Sequence, residues 1–335
     1  MIATLSSNWM DTQVNKLEML VAWVRDLRIP VDEAVRLTRT APHDYRHYTI
    51  AKRNGGRRDI YHPTPQLKLV QRWLVDKFFT GLPVHDAVHS YRSDRNIKTH
   101  AAVHCKSNYF LKFDFVNFFP SITHSWIKIF LRSHIASGHL SLDDDALALM
   151  ARLVCRSNRD DGSLALSIGA PSSPALSNAI LFDLDCALNN MAARYGACYT
   201  RYADDVYFSS TESDVLAAVE REFRSLLRKI TPQIIINEPK TERRSRKARR
   251  VVTGLVITPT YGISIGRDRK RSLQTRVFLY SKGELSSEKF SELAGLIAFA
   301  ADVEPGFIDT LRRKYGDETI NSLLTHAFIA PQRSN

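Results

Sequence analysis

Two adjacent carboxylates, Asp204 and Asp205, stand in the tetrapeptide Tyr202-Ala203-Asp204-Asp205 between two apolar runs. A turn there projects both side chains from one edge of a sheet, where they repel unless a cation lies between them. Aspartate is also a good turn former, so the pair alone does not decide the matter. A third carboxylate, Asp114, ends the run Tyr109-Phe110-Leu111-Lys112-Phe113. If these runs are neighbouring strands, three carboxylates converge on one edge. Such a cluster suits two Mg²⁺ ions about 4 Å apart, one activating a hydroxyl nucleophile and the other stabilising a leaving pyrophosphate oxygen.

For those carboxylates to meet, a sheet must form around them. Residues 109–115 read as a central strand, and 198–202 and 206–210 as two strands separated only by Ala203-Asp204-Asp205. Helical patterns start near 126 and 145. A long helix is expected over 174–194, with Ser173 placed to cap it and Pro174 in its first turn. A further helix carrying Val215, Val219, Phe223 and Leu226 leads to a strand over 233–237. This order predicts an α+β sheet with helices on one face, of the ferredoxin-like kind, and not a Rossmann sequence.

Upstream, Leu17, Leu20, Val21, Val24 and Leu27 recur at helical spacing, and 31–37 suggests a second short helix before Pro42. Strands over 48–51 and 59–62 flank the cationic turn Lys52-Arg53-Asn54-Gly55-Gly56-Arg57-Arg58, and Leu67, Val70, Leu74 and Phe78 form the buried stripe of a helix. Downstream, a basic block over 240–250 precedes strands over 251–258 and 263–266, and helical segments then run nearly to the end. Neither an internal repeat nor a low-complexity linker divides the chain.

The 335 residues carry 47 Lys and Arg against 35 Asp and Glu, a net charge of +12, which favours a polyanionic partner. With 44% hydrophobic residues the chain can build a real core, which excludes global disorder. Cys105, Cys155, Cys186 and Cys198 are scattered without a C-x-x-C pair, as expected of reduced thiols in a cytoplasmic protein. Export and membrane insertion are not expected. His100 and His104 stand at i and i+4 like half of a zinc-protease motif, but Ala101 replaces its glutamate. P-loop and G-x-S-x-G patterns are absent, which removes the common ATPase and serine-hydrolase readings.

Three segments in order and spacing, Phe113-Asp114-Phe115-Val116-Asn117-Phe118-Phe119-Pro120-Ser121-Ile122, Gly169-Ala170-Pro171-Ser172-Ser173-Pro174 and Tyr202-Ala203-Asp204-Asp205, resemble the catalytic motifs of reverse transcriptases. Val252-Thr253-Gly254 resembles the Val-Thr-Gly signature of the retron branch. His100-Ala101-Ala102-Val103-His104 resembles that branch's Asn-Ala-x-x-His motif, departing from it at His100. The resemblance implies a right-hand polymerase with fingers, a ferredoxin-like palm and a helical thumb. Residues 1–44 would be an N-terminal helical extension, 45–260 the fingers and palm, and 261–335 an RNA-binding thumb.

The resemblance also implies roles. Asp114, Asp204 and Asp205 would be catalytic and, with the Phe115 backbone carbonyl, would hold two Mg²⁺ ions. Phe119 would exclude a ribose hydroxyl, so that DNA is made, while Phe115 and Phe118 are core candidates. Lys52 and Arg58 would clamp the triphosphate of an incoming dNTP, with Arg57 an alternative to Arg58. Gly169 would line the nucleotide site and Lys240 would stand near the leaving pyrophosphate. Arg243, Arg244, Arg246, Lys247, Arg249, Arg250, Arg267, Lys270 and Arg271 would track RNA phosphates. The implied partners are a cognate structured non-coding RNA, the DNA copied from it, dNTPs and a retron effector protein, in antiphage defence. Other readings are a group II intron or diversity-generating reverse transcriptase, or a non-catalytic RNA-binding protein on the same scaffold.

Overall fold

The computed structural model describes residues 13–51 and 55–329. The first helix, Lys16–Leu27, opens with a reciprocal cap: the Asn15 side chain accepts from the Glu18 N–H at 3.0 Å and Glu18 accepts from the Asn15 N–H at 2.9 Å. Its buried face is Met19, Ala22 and Trp23, whereas Leu17 and Val21 of the predicted stripe are 68% and 55% exposed. The Trp23 indole meets the Trp73 ring edge-on at 6.5 Å, and the large aromatic area decides which face turns inward. A second helix, Val31–Thr40, follows.

Strands β1 (Tyr45–Ala51) and β2 (Arg57–Pro63) pair antiparallel from Tyr45↔Pro63 to Ala51↔Arg57. The helix Pro65–Leu74 runs on through a π-helical turn, Val75–Phe79, and buries Leu67, Val70, Leu74 and Phe78 as their spacing predicts. Next come the helix Ile97–His104, β3 (Tyr109–Asp114), the helices His124–Ala136 and Asp144–Leu153, and a small hairpin of β4 (Arg156–Ser157) and β5 (Leu164–Ala165).

The single helix predicted over 174–194 is two, Ser172–Ile180 and Phe182–Arg194. The Ser177 hydroxyl donates back to the Pro174 carbonyl at 2.9 Å, and the bond from Leu181 N–H to the Ser177 carbonyl is stretched to 3.4 Å. Such back-bonding bends helices. Ser173 is no cap either: its hydroxyl donates to the Ser167 carbonyl at 2.8 Å and accepts from the Ser167 N–H at 3.3 Å, which braces the loop before the helix.

Strands β6 (Cys198–Tyr202) and β7 (Asp205–Ser210) form the expected hairpin, followed by the helix Val215–Ile230. The strand predicted over 233–237 is instead one antiparallel bridge, Phe115↔Ile236, with a bond from Val116 N–H to the Ile235 carbonyl and another from Asn237 N–H to the Asp114 carbonyl. A 3-10 turn, Glu238–Lys240, with Pro239 inside it, ends that pairing. The position beside β3 goes to β8 (Glu242–Ser245), giving a four-stranded sheet in the order β6-β7-β3-β8.

The strand predicted over 251–258 is a hairpin of β9 (Arg250–Val252) and β10 (Leu255–Ile257), joined in a three-stranded sheet by β11 (Ile263–Ser264). Thr253 and Gly254 take φ +44° and +83° at its turn, where a glycine carries no Cβ penalty. Four helices complete the chain, Arg267–Ser281, Ser287–Val303, Pro305–Tyr315 and Asp317–Ile329.

The chain divides into two compact units. One comprises residues up to Tyr91, Lys112–Tyr207 and Ala217–Thr241, and the other Arg92–Leu111, Phe208–Leu216 and the residues from Glu242 onward. In the first unit the rings of Phe113 and Phe223 lie 4.5 Å apart, neither exposed. Phe223→Ala should therefore cost about 3–5 kcal/mol of stability. Chemical denaturation checks this, and a loss below about 1 kcal/mol would show that the sheet and helix are not held through this contact.

Candidate active site

The β6–β7 hairpin turns at Ala203 and Asp204, with Ala203 at φ +55°. This left-handed conformation is unfavourable for a residue with a Cβ, and bonds on both sides hold it. The Ala203 N–H donates to the Ser90 hydroxyl at 2.8 Å, and its carbonyl accepts from the Arg201 guanidinium at 3.2 Å. Arg201 is wholly buried. Its Nε and Nη2 meet the two oxygens of buried Asp185 at 2.8 and 2.6 Å, and its Nη1 also reaches Asn178 Oδ1 at 3.3 Å. The Tyr199 hydroxyl donates to Asp185 at 2.6 Å, and the Asn178 amide donates to the Ser90 carbonyl at 3.0 Å. Burial opposes the Arg201 charge, but the Asp185 carboxylate outweighs it and raises the guanidinium pKa.

The turn joins the end of β3 through a bond from Phe115 N–H to the Asp204 carbonyl at 3.2 Å. Asp114, 7% exposed, accepts from the Asn237 amide at 3.0 Å and from the Lys240 ammonium at 2.9 and 3.0 Å. Asp205 pairs with Lys112 at 2.9 Å. The Asp204 carboxyl is pushed up to about 6 by burial first, then by the charges of Asp205 and Asp114, with Lys240 opposing. Burial likewise raises Asp205, and Lys112 opposes it. For Lys112, burial favours the neutral amine, but the charges of Tyr207 and Asp205 prevail and its pKa is raised.

This is the electrostatics of a site short of positive charge. Among the described residues the acids do not close into a ready-made ligand cluster, and the lysine ammoniums sit on two of the three carboxylates. Hard carboxylate oxygens, with burial and then mutual repulsion raising Asp204, nonetheless fit a hard divalent cation better than a soft one.

The other predicted residues fall as follows. Phe115 and Phe118 are buried, and Phe119, half-buried, packs against Phe118 at 5.3 Å. Gly169 takes φ +105°, and a Cβ there would lie 3.1 Å from the Tyr61 carbonyl and 3.2 Å from Ile60. Its close approach is thus to β2. Arg57 and Arg58 are exposed on β2, and Lys52 lies outside the described residues.

In the second unit the two signature motifs meet. His100 Nδ1 shares a hydrogen bond with the Thr253 hydroxyl at 3.3 Å, beside buried Val252, and His104 Nδ1 bonds the Ser209 hydroxyl at 2.7 Å. Among the basic residues, Arg243, Arg244, Arg246, Lys247, Arg249, Arg267 and Arg271 are exposed. Lys270 is partly covered by its pairing with Glu304. Arg250 is a correction: 1% exposed, it donates to the carbonyls of Ser107 and Thr258 and lies over the Phe110 ring, so it holds the fold and offers no face to a phosphate.

Sequence reasoning missed Ser90, Asn178, Asp185, Arg201 and Asn237. The available signal was Arg201, a charge in the strand-like run Cys198-Tyr199-Thr200-Arg201-Tyr202, which needs a partner if that strand is buried. It also missed Tyr91, whose φ of +59° and 53% exposure place a strained aromatic residue directly after Ser90.

Residues 50–259 match the family model described as reverse transcriptase (RNA-dependent DNA polymerase). The retron Ec83 reverse transcriptase of Escherichia coli is 37% identical over 289 residues, covering 85% of this chain and 91% of that protein. The retron Ec73 enzyme of the same organism is 33% identical, covering 83% and 89%, and the retron Ec86 enzyme is 29% identical, covering 89% and 91%. Among solved structures, a Candida albicans telomerase in complex with a fragment of telomeric RNA aligns at a TM-score of 0.48 with 13% identity, covering 93% of this chain and 64% of that one.

Two outcomes are expected. A divalent ion must displace the Asp204 proton, so its affinity should rise with pH through about 6 and then level off, and Asp204→Asn should flatten the profile. Calorimetric titration with Mg²⁺ or Mn²⁺ at about pH 5.5 and about pH 7.5 checks this, and equal affinities would contradict it. Asp185→Asn strands the Arg201 charge in the interior and should cost about 3–5 kcal/mol in denaturant unfolding, against a negligible change if the pair is dispensable.

Proposed function

This chain belongs to the reverse transcriptase family and, within it, to the retron reverse transcriptases, and from that premise we propose that it copies its cognate structured non-coding RNA into single-stranded DNA at Asp114, Asp204 and Asp205. RNA-directed DNA polymerase activity follows from membership. The observation that supports placing it at these residues is the joining of the β3 end to a pinned β6–β7 turn, which brings Asp114 near Asp204 and Asp205, Asp204 being raised to about 6 by burial and by the other two charges.

The family generally uses divalent metal ions, and here the ion is proposed to be Mg²⁺, two of them held by the three aspartates and the Phe115 carbonyl. Bound there, they would supply charge neutralisation and hydroxyl activation for in-line attack on the α-phosphorus of a dNTP. The protein's own part is positioning. The Ser90 and Arg201 bonds fix the turn, and Lys240, 60% exposed and able to leave Asp114, stands ready to meet the departing pyrophosphate. Lys52 and Arg58 hold the triphosphate, with the Gly169 loop beside the nucleotide. Phe119 presses against the sugar and rejects a 2′-hydroxyl.

Residues 45–260 act as fingers and palm and residues 261–335 as the thumb. The exposed arginines and lysines over 243–249 and 267–271 follow RNA phosphates. Priming from the 2′-hydroxyl of a guanosine, a branched RNA-linked DNA product and an effector protein acting against phage complete the reading. Among the described residues no helix is long and apolar enough to cross a membrane.

Expression with the native upstream region should yield a short single-stranded DNA whose mobility shifts after ribonuclease and 2′,5′ debranching treatment. Asp204→Asn should retain RNA binding and lose synthesis by at least about a hundredfold, and full synthesis by that variant would sink the assignment. Phe119→Ala should raise ribonucleotide use relative to deoxynucleotides by about tenfold or more in single-nucleotide extension. Unchanged selectivity would remove the gate.

A further inference from the structure

The short turn that carries Lys240 is not held by packing. Glu238, Pro239 and Lys240 are all exposed, and the turn buries none of its side chains. A turn with few buried apolar contacts keeps its place only if polar contacts fix it. On its N-terminal side that contact is Asn237, whose N–H donates to the Asp114 carbonyl at 2.7 Å and whose amide donates to the Asp114 carboxylate at 3.0 Å. This tie precedes the turn, and Lys240 stands three positions beyond it.

A second tie reaches the turn from the helix Val215–Ile230. Arg224 presents its guanidinium fork to Glu238, Nη2 meeting one carboxylate oxygen at 3.0 Å and Nη1 the other. A bidentate pair of this kind fixes direction as well as distance. The same guanidinium is braced from behind, where its Nε and Nη2 meet Glu220 Oε1 at 3.1 and 2.8 Å. Glu220 lies one helical turn back, an ordinary i,i+4 pair. Glu238 lies 14 positions onward and outside the helix, so that contact joins two elements. Glu238 foremost raises the pKa of the guanidinium against the effect of burial, which keeps the fork charged.

The Arg224 guanidinium also lies 5.4 Å from the centre of the Phe113 ring. Phe113 precedes Asp114 on β3, and Glu238 lies two residues before Lys240. Arg224 thus touches a near neighbour of each member of the Asp114–Lys240 pair. When the ammonium lets go of Asp114, the direct contact between the two side chains is lost, but Arg224 still spaces the turn from the strand.

We infer that Arg224 is a positioning residue for departure of the pyrophosphate: through Glu238 it holds the 238–240 turn against β3, so that the Lys240 ammonium, once released from Asp114, stays on the side where the leaving group departs. This rests on the placing of Lys240 at the leaving pyrophosphate. Arg224 acts through Glu238 and not on the nucleotide.

Single-nucleotide extension of a primer annealed to an RNA template, by the full chain, tests this through the rate at saturating dNTP and the dNTP concentration giving half that rate. Arg224→Met keeps the length and removes the fork. It should lower the saturated rate about tenfold and leave the half-saturating concentration within about twofold. Glu238→Ala cuts the same tie at its exposed end, leaves the Arg224–Glu220 pair in place and should act alike, so it decides alone if Arg224→Met does not fold. In a Lys240→Ala background neither substitution should slow the enzyme further. A saturated rate unchanged in Glu238→Ala, or losses that persist in full without Lys240, overturns the inference and leaves the reading of Lys240 intact. Extension at the wild-type rate by Lys240→Ala alone overturns that reading first and the inference with it.

Discussion

The buried ion pair between Arg201 and Asp185 is the constraint on which the site depends. Neither residue is exposed, so each charge is answered inside the protein, and the guanidinium also donates to Asn178 and to the Ala203 carbonyl. A turn that an alanine would not adopt unaided is thereby held in place, and the two aspartates beside it inherit a fixed direction. Hydrophobic packing could stabilise the same sheet, but it is not directional.

The same fold keeps its acids under electrostatic load. Lys112 and Lys240 each neutralise one carboxylate, and the third is left with a pKa near 6. The two lysines differ in kind. Lys112 is 25% exposed, tied into β3 and set 5.4 Å over the Tyr207 ring, whereas Lys240 is 60% exposed at the end of a 3-10 turn. One is half-covered within the sheet and the other stands largely open to solvent.

Much of this was legible in the residues. The strand around 109–114 and the hairpin turning at Ala203 and Asp204 announce themselves as short strand-like runs, and the helix through Phe223 by its period, because a half-buried helix must repeat its apolar residues at its own pitch. Other features left no such trace. The break at Leu181 comes from a serine hydroxyl that returns to its own helix, and the place beside β3 goes to 242–245 in a block that reads as merely basic. Arg250 reads as one more surface cation, yet the Ser107 and Thr258 carbonyls take its guanidinium inward. In each case a polar group's partner, distant in sequence or on its own helix, overrides the local pattern. Arg201 shows the converse: a charge within a central strand points to a distant partner before the fold is known.

The bond between His100 and Thr253 has a consequence for how such chains diverge. These residues, 153 positions apart, sit in two segments of one compact unit assembled from three stretches of chain. A histidine at position 100 asks a different geometry of its partner than a shorter amide would. Drift at one motif is therefore constrained by the other, and the heritable module is not a contiguous C-terminal piece. Recombination between relatives that cuts anywhere between 104 and 250 separates two halves of one lock, and the exchange that preserves it carries all three stretches together.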